Sequence, residues 1–167
     1  MHPQKFSNGF TLIELIVVMA LISIMLFFSI PRFRQAVNSD SSQKVARHIM
    51  MQVPLLKDKA VREQKRYELR IDSGSNRIWV TNEAMNQDAL DQAEESASEA
   101  DPNIRLDVEY PQTGTVEGSV AIISFYKKGY SDKAIIHVEE EDSDVRISLL
   151  IEPFFSTVKL YETHESF

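Results

Sequence analysis

The chain is 167 residues long, carries a formal net charge of -7 and contains no cysteine. This length suits one globular domain together with one anchor segment. An acidic chain lacks the clustered Lys and Arg that phosphate binding requires, so we expect no nucleic-acid partner. The lack of cysteine excludes disulfides, thiolate metal sites and a cysteine nucleophile.

Much of the apolar content lies in one block, residues 10–30, which reads FTLIELIVVMALISIMLFFSI. A helix of this length reaches about 30 Å, the thickness of a bilayer core, and hydrocarbon favours a helix because every backbone polar group needs an internal partner. A removed secretory signal has a shorter apolar core followed by a small-residue cleavage site. Here the block ends at Pro31-Arg32-Phe33 instead. We therefore predict a transmembrane helix at 10–30.

The only ionisable residue in this block is Glu14. A charged carboxylate at the centre of a membrane helix costs about 2.5 kcal/mol or more. One explanation places Glu14 at the interface, with its side chain directed toward water. In the other, cleavage after Gly9 frees the amine of Phe10, which pairs with Glu14 of a neighbouring subunit. In a low dielectric such a pair would fix the register of packed helices.

The run Gly9-Phe10-Thr11-Leu12-Ile13-Glu14, with a polar leader before it and Pro31 after the block, resembles the N-terminal signal of type IV pilins and type II secretion pseudopilins. The resemblance implies that residues 1–9 are a cytoplasmic leader removed by a prepilin peptidase between Gly9 and Phe10. It also implies N-methylation of Phe10. Proline removes a backbone donor and crowds the preceding turn, so we expect Pro31 to kink the helix.

The charges next to the anchor favour a cytoplasmic location for the domain that follows it. Arg32, Arg34, Lys44 and Arg47 follow the block, whereas the leader holds only Lys5. The positive-inside rule alone would keep the following domain in the cytoplasm. The resemblance instead implies a single-pass protein of the bacterial inner membrane, with its N-terminus in the cytoplasm and its C-terminal domain in the periplasm.

The remainder of the chain predicts an α+β fold, a long helix packed on antiparallel sheet. Apolar residues at helical spacing extend the helix over 31–66, and we expect Pro54 to kink or divide it. A strand-rich domain follows at 67–167, with an acidic insertion at about 82–103 that has room for a short helix near Met85–Ala97. The strands are predicted at Tyr67–Asp72, Arg77–Thr81, Ile104–Tyr110, Ser119–Tyr126, Lys133–Glu139, Asp144–Ile151 and Thr157–Tyr161.

The C-terminal half is similar to that of the H-type minor pseudopilins. The shared pattern is Ile122-Ile123-Ser124-Phe125, a turn at Lys128-Gly129-Tyr130-Ser131, and the strand Ala134–Val138. The departure from that pattern is Pro153-Phe154-Phe155-Ser156, where the group commonly has a glycine-containing turn.

We predict no catalytic residue, no metal site and no cofactor. The carboxylates of Glu139–Asp144 lack the spacing of a calcium loop and are expected in a solvated hairpin tip. His2, His48, His137 and His164 form no H-x-x-x-H pair, and no serine lies in a G-x-S-x-G motif. Trp79 is expected in packing. An anchored hydrolase is therefore a remote alternative.

The favoured function is a structural one. We expect a minor pseudopilin at or near the tip of the periplasmic pseudopilus of a type II secretion system, where it helps drive protein export across the outer membrane. The implied partners are the other major and minor pseudopilins, the prepilin peptidase, the inner-membrane secretion platform and an exported protein. The alternative is a minor pilin of a type IV pilus that primes assembly or serves DNA uptake.

Overall fold

The computed structural model describes residues 12–111, 114–116, 120–141 and 146–161, and side chains within these ranges except at 26–40 and 115–116. The chain divides into two compact units, Met1–Val37 and Asn38–Phe167. The second unit combines helix with two antiparallel sheets, which confirms the predicted α+β class.

Helix α1 covers Leu12–Glu63 and helix α2 covers Gln87–Glu95. The strands of the described ranges are β1 (Tyr67–Asp72), β2 (Arg77–Asn82), β3 (Ser98–Glu99), β4 (Ile104–Tyr110), β5 (Gly114–Val116), β6 (Val120–Phe125), β7 (Ala134–Glu140), β8 (Arg146–Ile151) and β9 (Lys159–Tyr161). The first sheet has the order β3-β2-β1-β6, and the second has the order β5-β4-β7-β8-β9.

The part of helix α1 in the second unit supplies one wall of the core. Its buried residues recur every three or four positions, as expected for one face of an amphipathic helix. They are Ser42, Ala46, Ile49, Val53, Leu56, Lys57 and Ala60. The apolar periodicity predicted for this stretch is therefore confirmed.

Of the predicted kink or division at Pro54, the division is wrong, because α1 continues to Glu63. Val53 and Leu56 are buried on either side of the proline. Packing of these side chains holds the helix although Pro54 cannot donate a backbone hydrogen bond. The helix ends before Gln64, whose φ of 52° is left-handed.

Both sheets pack into the same core. Along β1, buried and half-buried residues alternate, so Tyr67, Leu69 and Ile71 share the inner face. In the second sheet, inner residues of β4, β7 and β8 join the same cluster. They are Ile104, Leu106, Val108, Ala134, Ile136, Val138, Ile147, Leu149 and Ile151. One continuous core therefore supports the loops at both ends of the strands.

Each predicted strand is present in the structure. Where a strand end lies among the described residues, it is within two residues of its predicted position. The turn Ser73–Asn76 joins β1 and β2 as expected, and the Asp72 carboxylate accepts hydrogen bonds from Gly74 N–H and Ser75 Oγ. Strands β3 and β5 were not predicted. Helix α2 lies in the acidic insertion, where the Asn86 side chain caps it by accepting the Ala89 N–H at 3.0 Å.

Candidate functional site

The sequence-predicted site residues lie at the start of the chain. Gly9 and Phe10 lie outside the described residues, and the same holds for the side chain of Pro31. Glu14 is in the first turn of α1, where the helix dipole favours a negative charge. Within the described part of the chain, no helix has a stretch long and apolar enough to cross a membrane.

The described start of α1 presents an apolar surface. Its large exposed side chains are Leu12, Ile13, Leu15, Ile16, Val17, Val18, Met19, Leu21, Ile22, Ile24 and Met25. They surround the whole helix and do not form a single stripe. A helix that is apolar on every side is suited to burial by other helices or by lipid.

A buried lysine connects α1 to the loop between β8 and β9, here called the β8–β9 loop (residues 152–158). Lys57 Nζ donates to the carbonyl oxygens of Glu152 at 2.7 Å, Pro153 at 3.2 Å and Phe155 at 2.5 Å. Only 6% of Lys57 is exposed. Burial lowers its pKa, and the nearby Glu152 carboxylate opposes that shift.

Three further contacts hold the β8–β9 loop. The N–H of Ser131 donates to the carbonyl of Pro153 at 3.1 Å. Lys159 forms an ion pair with Glu152 at 2.8 Å and lies 5.4 Å from the centre of the Phe155 ring. The loop is therefore fixed to helix α1, to the segment before β7 and to β9.

This loop carries part of an aromatic cluster, which we call the aromatic platform (Tyr126, Tyr130, Phe154 and Phe155). The rings of Tyr126 and Tyr130 are stacked with centres 4.6 Å apart, and Tyr130 lies 6.2 Å from Phe154. Phe154 is 82% exposed and Phe155 is 56% exposed. In the sequence, Phe154 and Phe155 stand out only as a departure from a glycine-containing turn.

A groove lies between α1 and the acidic insertion. Its larger part has a volume of about 570 Å³ and is lined by residues that include Lys44, His48, Glu99 and Asp101. The smaller part, of about 320 Å³, shares His48 and reaches Trp79. Trp79 is buried, with the Arg77 guanidinium 5.7 Å from its ring centre, which confirms its expected role in packing.

A buried polar cluster that the sequence does not predict joins β4, β7 and β8. His137 Nδ1 lies 3.0 Å from Ser148 Oγ, and His137 Nε2 lies 3.4 Å from Glu109 Oε2. These residues occupy neighbouring strands, where Ser148 is directly opposite His137. The combination of Ser, His and Glu resembles a hydrolase triad in composition only. All three are buried, and neither part of the groove is lined by them.

The acidic residues Glu139–Asp144 do not all lie in a hairpin tip. Strand β7 continues through Glu140, which is buried and pairs with Ile104, and Glu139 is half-buried. The expectation of a solvated loop is therefore wrong for Glu140, because the ladder with β4 extends one residue beyond the predicted strand. Glu139 belongs to the strand predicted at Lys133–Glu139. Asp142 and Asp144 lie outside the described residues. Among the described side chains, no cluster of His, Asp or Glu is suited to hold a metal ion.

A family model and two solved structures are similar to this chain. Residues 4–30 match the family model described as the prokaryotic N-terminal methylation motif. The chain is also similar to two solved structures of the minor pseudopilin EpsH from the type 2 secretion system of Vibrio cholerae. The chain therefore has a fold similar to that of EpsH.

The first EpsH structure shares 12% identity with a TM-score of 0.56, over 75% of this chain and 99% of its own. The second shares 15% identity with a TM-score of 0.52, over 78% of this chain and 99% of its own. No curated protein matches the chain in sequence. The predicted likeness to H-type minor pseudopilins is thus confirmed at the level of the fold.

Two kinds of surface belong to different parts of the chain. The methylation motif and Glu14 belong to the N-terminal part of the chain, whereas the aromatic platform and the groove belong to the second unit. The second unit presents its platform on loops that the core and Lys57 hold in place.

Proposed function

We propose that the chain is a minor pseudopilin of a type II secretion system, a structural subunit at or near the tip of the periplasmic pseudopilus. The observation that carries the proposal is the presence of two features in one chain. A prokaryotic N-terminal methylation motif occupies residues 4–30, and the fold of the minor pseudopilin EpsH follows it. A prepilin-type signal alone is shared with type IV pilins, whereas the fold favours the secretion system.

The mechanism is mechanical and not enzymatic. The apolar block at 10–30 anchors the chain in the inner membrane until assembly, with the second unit in the periplasm. A prepilin peptidase removes residues 1–9, and the new N-terminal amine of Phe10 is methylated. Growth of the pseudopilus then draws the subunit out of the membrane and moves an exported protein toward the outer-membrane channel. The partners are the other pseudopilins and the inner-membrane platform.

Glu14 sets the register of assembly in this proposal. The N-terminal amine of Phe10 on one subunit pairs with Glu14 of its neighbour among apolar helices. Opposite charges attract more strongly there than in water, and a shifted register leaves the carboxylate without its partner. The exposed apolar side chains of Leu12–Met25 supply the surrounding packing surface.

The test is complementation of a secretion-competent strain that lacks its own copy of this subunit. The Gly9→Leu variant should accumulate as uncleaved precursor in the inner membrane, because a bulky side chain obstructs the peptidase. Exported enzyme in the medium should fall to the level of the deletion strain. Gly9→Ala adds a single methyl group and serves as the matched control, with near-normal processing.

Normal processing of Gly9→Leu would show that the assigned cleavage site is wrong. Unchanged export in the deletion strain, combined with loss of surface pili, would assign the chain to a type IV pilus instead.

A further inference from the structure

We propose that helix α2 and its flanking residues form a lid, which opens as a rigid body over a cavity that reaches the core while the rest of the domain stays folded. The lid comprises residues 86–97 and is called the α2 lid. This proposal goes beyond the proposed function and does not depend on it, because the methylation motif and Glu14 belong to the other unit of the chain.

The α2 lid satisfies its own backbone hydrogen bonds. At its start, the Asn86 side chain accepts the Ala89 N–H at 3.0 Å. At its end, the Ser96 N–H donates to the carbonyl of Gln92 at 3.0 Å. Among the described residues, no backbone group of the lid pairs with backbone outside it. The lid therefore moves without breaking a hydrogen bond between backbone groups, and opening leaves none of them without a partner.

The chain on either side of the α2 lid is fixed to the domain. Before the lid, the Glu83 N–H donates to the carbonyl of Arg66 at 3.0 Å, and the Glu83 carboxylate pairs with Lys127 at 2.6 Å. After the lid, the Ala100 N–H donates to the carbonyl of Asn76 at 2.9 Å. The few residues between these fixed points and the lid supply the hinges, since a hinge needs only a few loop residues.

Few contacts hold the α2 lid closed. No residue of α2 is buried, and its apolar residues Ala89, Leu90 and Ala93 are half-buried. Among the described side chains, one ion pair joins the lid to the rest of the domain, between Glu94 Oε1 and Arg77 Nη2 at 2.9 Å. Both partners are partly exposed, so water and salt weaken the pair. A segment with so few buried contacts opens at a lower free energy than the core unfolds.

The closed lid leaves a cavity beneath it. This cavity is the smaller part of the groove, about 320 Å³ in volume, and the lid lines it with Ala93 and Ser96. Leu69 and Ile78 of the core line it from the sheet. The volume far exceeds the roughly 30 Å³ that one water molecule occupies in the liquid, so the closed lid lacks packing contacts that would hold it. Ile78 also lines the larger part of the groove, and opening of the lid joins the two parts.

The test is cysteine labelling of the full chain in nanodiscs of zwitterionic lipid. The chain contains no cysteine, so one introduced thiol is labelled at one site. Ile78→Cys places the thiol in the cavity, where Ile78 is 5% exposed. Ile71→Cys is the matched control, because Ile71 lies directly opposite Ile78 in the β1–β2 ladder, is 0% exposed and does not line the cavity. Iodoacetamide should label Ile78→Cys at least about tenfold faster, since Ile71→Cys reacts only when the domain unfolds.

The ion pair provides the second comparison. Glu94→Gln removes the pair and should speed the labelling of Ile78→Cys about threefold without changing that of Ile71→Cys. Glu95→Gln is its matched control, because Glu95 is the next residue of α2, is exposed and has no ion-pair partner among the described residues. Hydrogen exchange of the α2 amides should be equal in the two variants, since a rigid lid keeps its helix when it opens.

Equal labelling rates of Ile78→Cys and Ile71→Cys, or of Ile78→Cys combined with Glu94→Gln and with Glu95→Gln, would overturn the proposal. Exchange of the α2 amides that rises in step with labelling would also overturn it, because the helix would then unfold instead of moving as a lid. Leu69→Cys carries the same comparisons from a second residue of the cavity if Ile78→Cys does not fold.

Discussion

The ammonium nitrogen of Lys57 lies 2.5 Å from the backbone oxygen of Phe155. The two residues belong to a helix near the start of the domain and to a loop near its end. Lys57 donates to two more carbonyls of that loop, so each of its three protons has an acceptor. The cost of burying a cation is thereby offset by contacts that determine the path of the β8–β9 loop.

Replacing Lys57 with Met should lower the free energy of unfolding by about 1–3 kcal/mol, because three carbonyl groups lose their donor. It should also speed amide hydrogen exchange in residues 152–158. Urea denaturation and exchange measured by mass spectrometry check both results. Lys59→Met is the matched control, since Lys59 lies on the exposed side of the same helix. Similar effects of the two variants would show that Lys57 does not hold the loop.

Alkaline pH should weaken the fold through Tyr67. A 2.6 Å hydrogen bond to the Glu63 carboxylate, followed by burial, raises the pKa of Tyr67 to about 12. The unfolded chain releases this proton near pH 10, so between pH 10 and 12 the unfolded state binds fewer protons than the folded state. The stabilising contribution is complete below pH 10 and is lost as the pH rises toward 12.

In the Glu63→Gln variant the carboxylate is absent, and the pKa of Tyr67 should move back toward 10. Ultraviolet absorbance of the phenolate measures the titration, and Tyr67→Phe identifies which transition belongs to this residue. Tyr110, whose pKa burial raises to about 12, provides an internal reference that neither change should move. An unchanged titration in Glu63→Gln would contradict the assigned cause.

Phe125 and Phe154 should respond in opposite ways to truncation. Phe125 is fully buried in the core, so Phe125→Ala should cost about 3–5 kcal/mol of stability. Phe154 is largely exposed, so Phe154→Ala should change the free energy of unfolding by no more than about 0.5 kcal/mol. Thermal or urea denaturation distinguishes them. A large loss of stability in Phe154→Ala would show that its ring supports the fold.

Replacing Glu14 with Val should leave membrane insertion intact and impair assembly. The change removes the only ionisable group of the apolar block, so insertion becomes easier while the proposed pair with the amine of Phe10 is lost. Crosslinking to the pseudopilins of the same strain and export into the medium measure assembly. Glu14→Asp keeps a carboxylate and serves as the control. Full export by Glu14→Val would remove the charge pair from the mechanism.

Periodicity in the sequence was sufficient to predict most of the fold. Leu69 and Ile71 alternate with polar residues, and Ile49, Val53 and Leu56 recur at helical spacing, because each set faces the same core. Strands β3 and β5 contain two and three residues, too few for an alternating pattern to be visible. Their pairing is determined by neighbouring strands and not by their own composition.

The surfaces of the domain were harder to predict than its strands. His137, Ser148 and Glu109 come together only through strand register, which places residues that are distant in sequence side by side. The aromatic platform likewise joins two loops that lie on either side of β7 and β8. Helical and strand periodicity describes which side of an element faces the core, and it contains no information about which loops meet.

The sheet edges restrict how copies of this chain can associate. Strands β3, β5 and β9 end their sheets with only two or three residues. The outer edge of β6 is occupied, because Tyr110 Oη donates to the carbonyl of Ile122 and Asp132 bonds both backbone groups of Ser124. Along the described strands, little backbone is left to template a further strand from another molecule. Copies of this domain that meet edge to edge therefore find little free backbone for amyloid-like stacking.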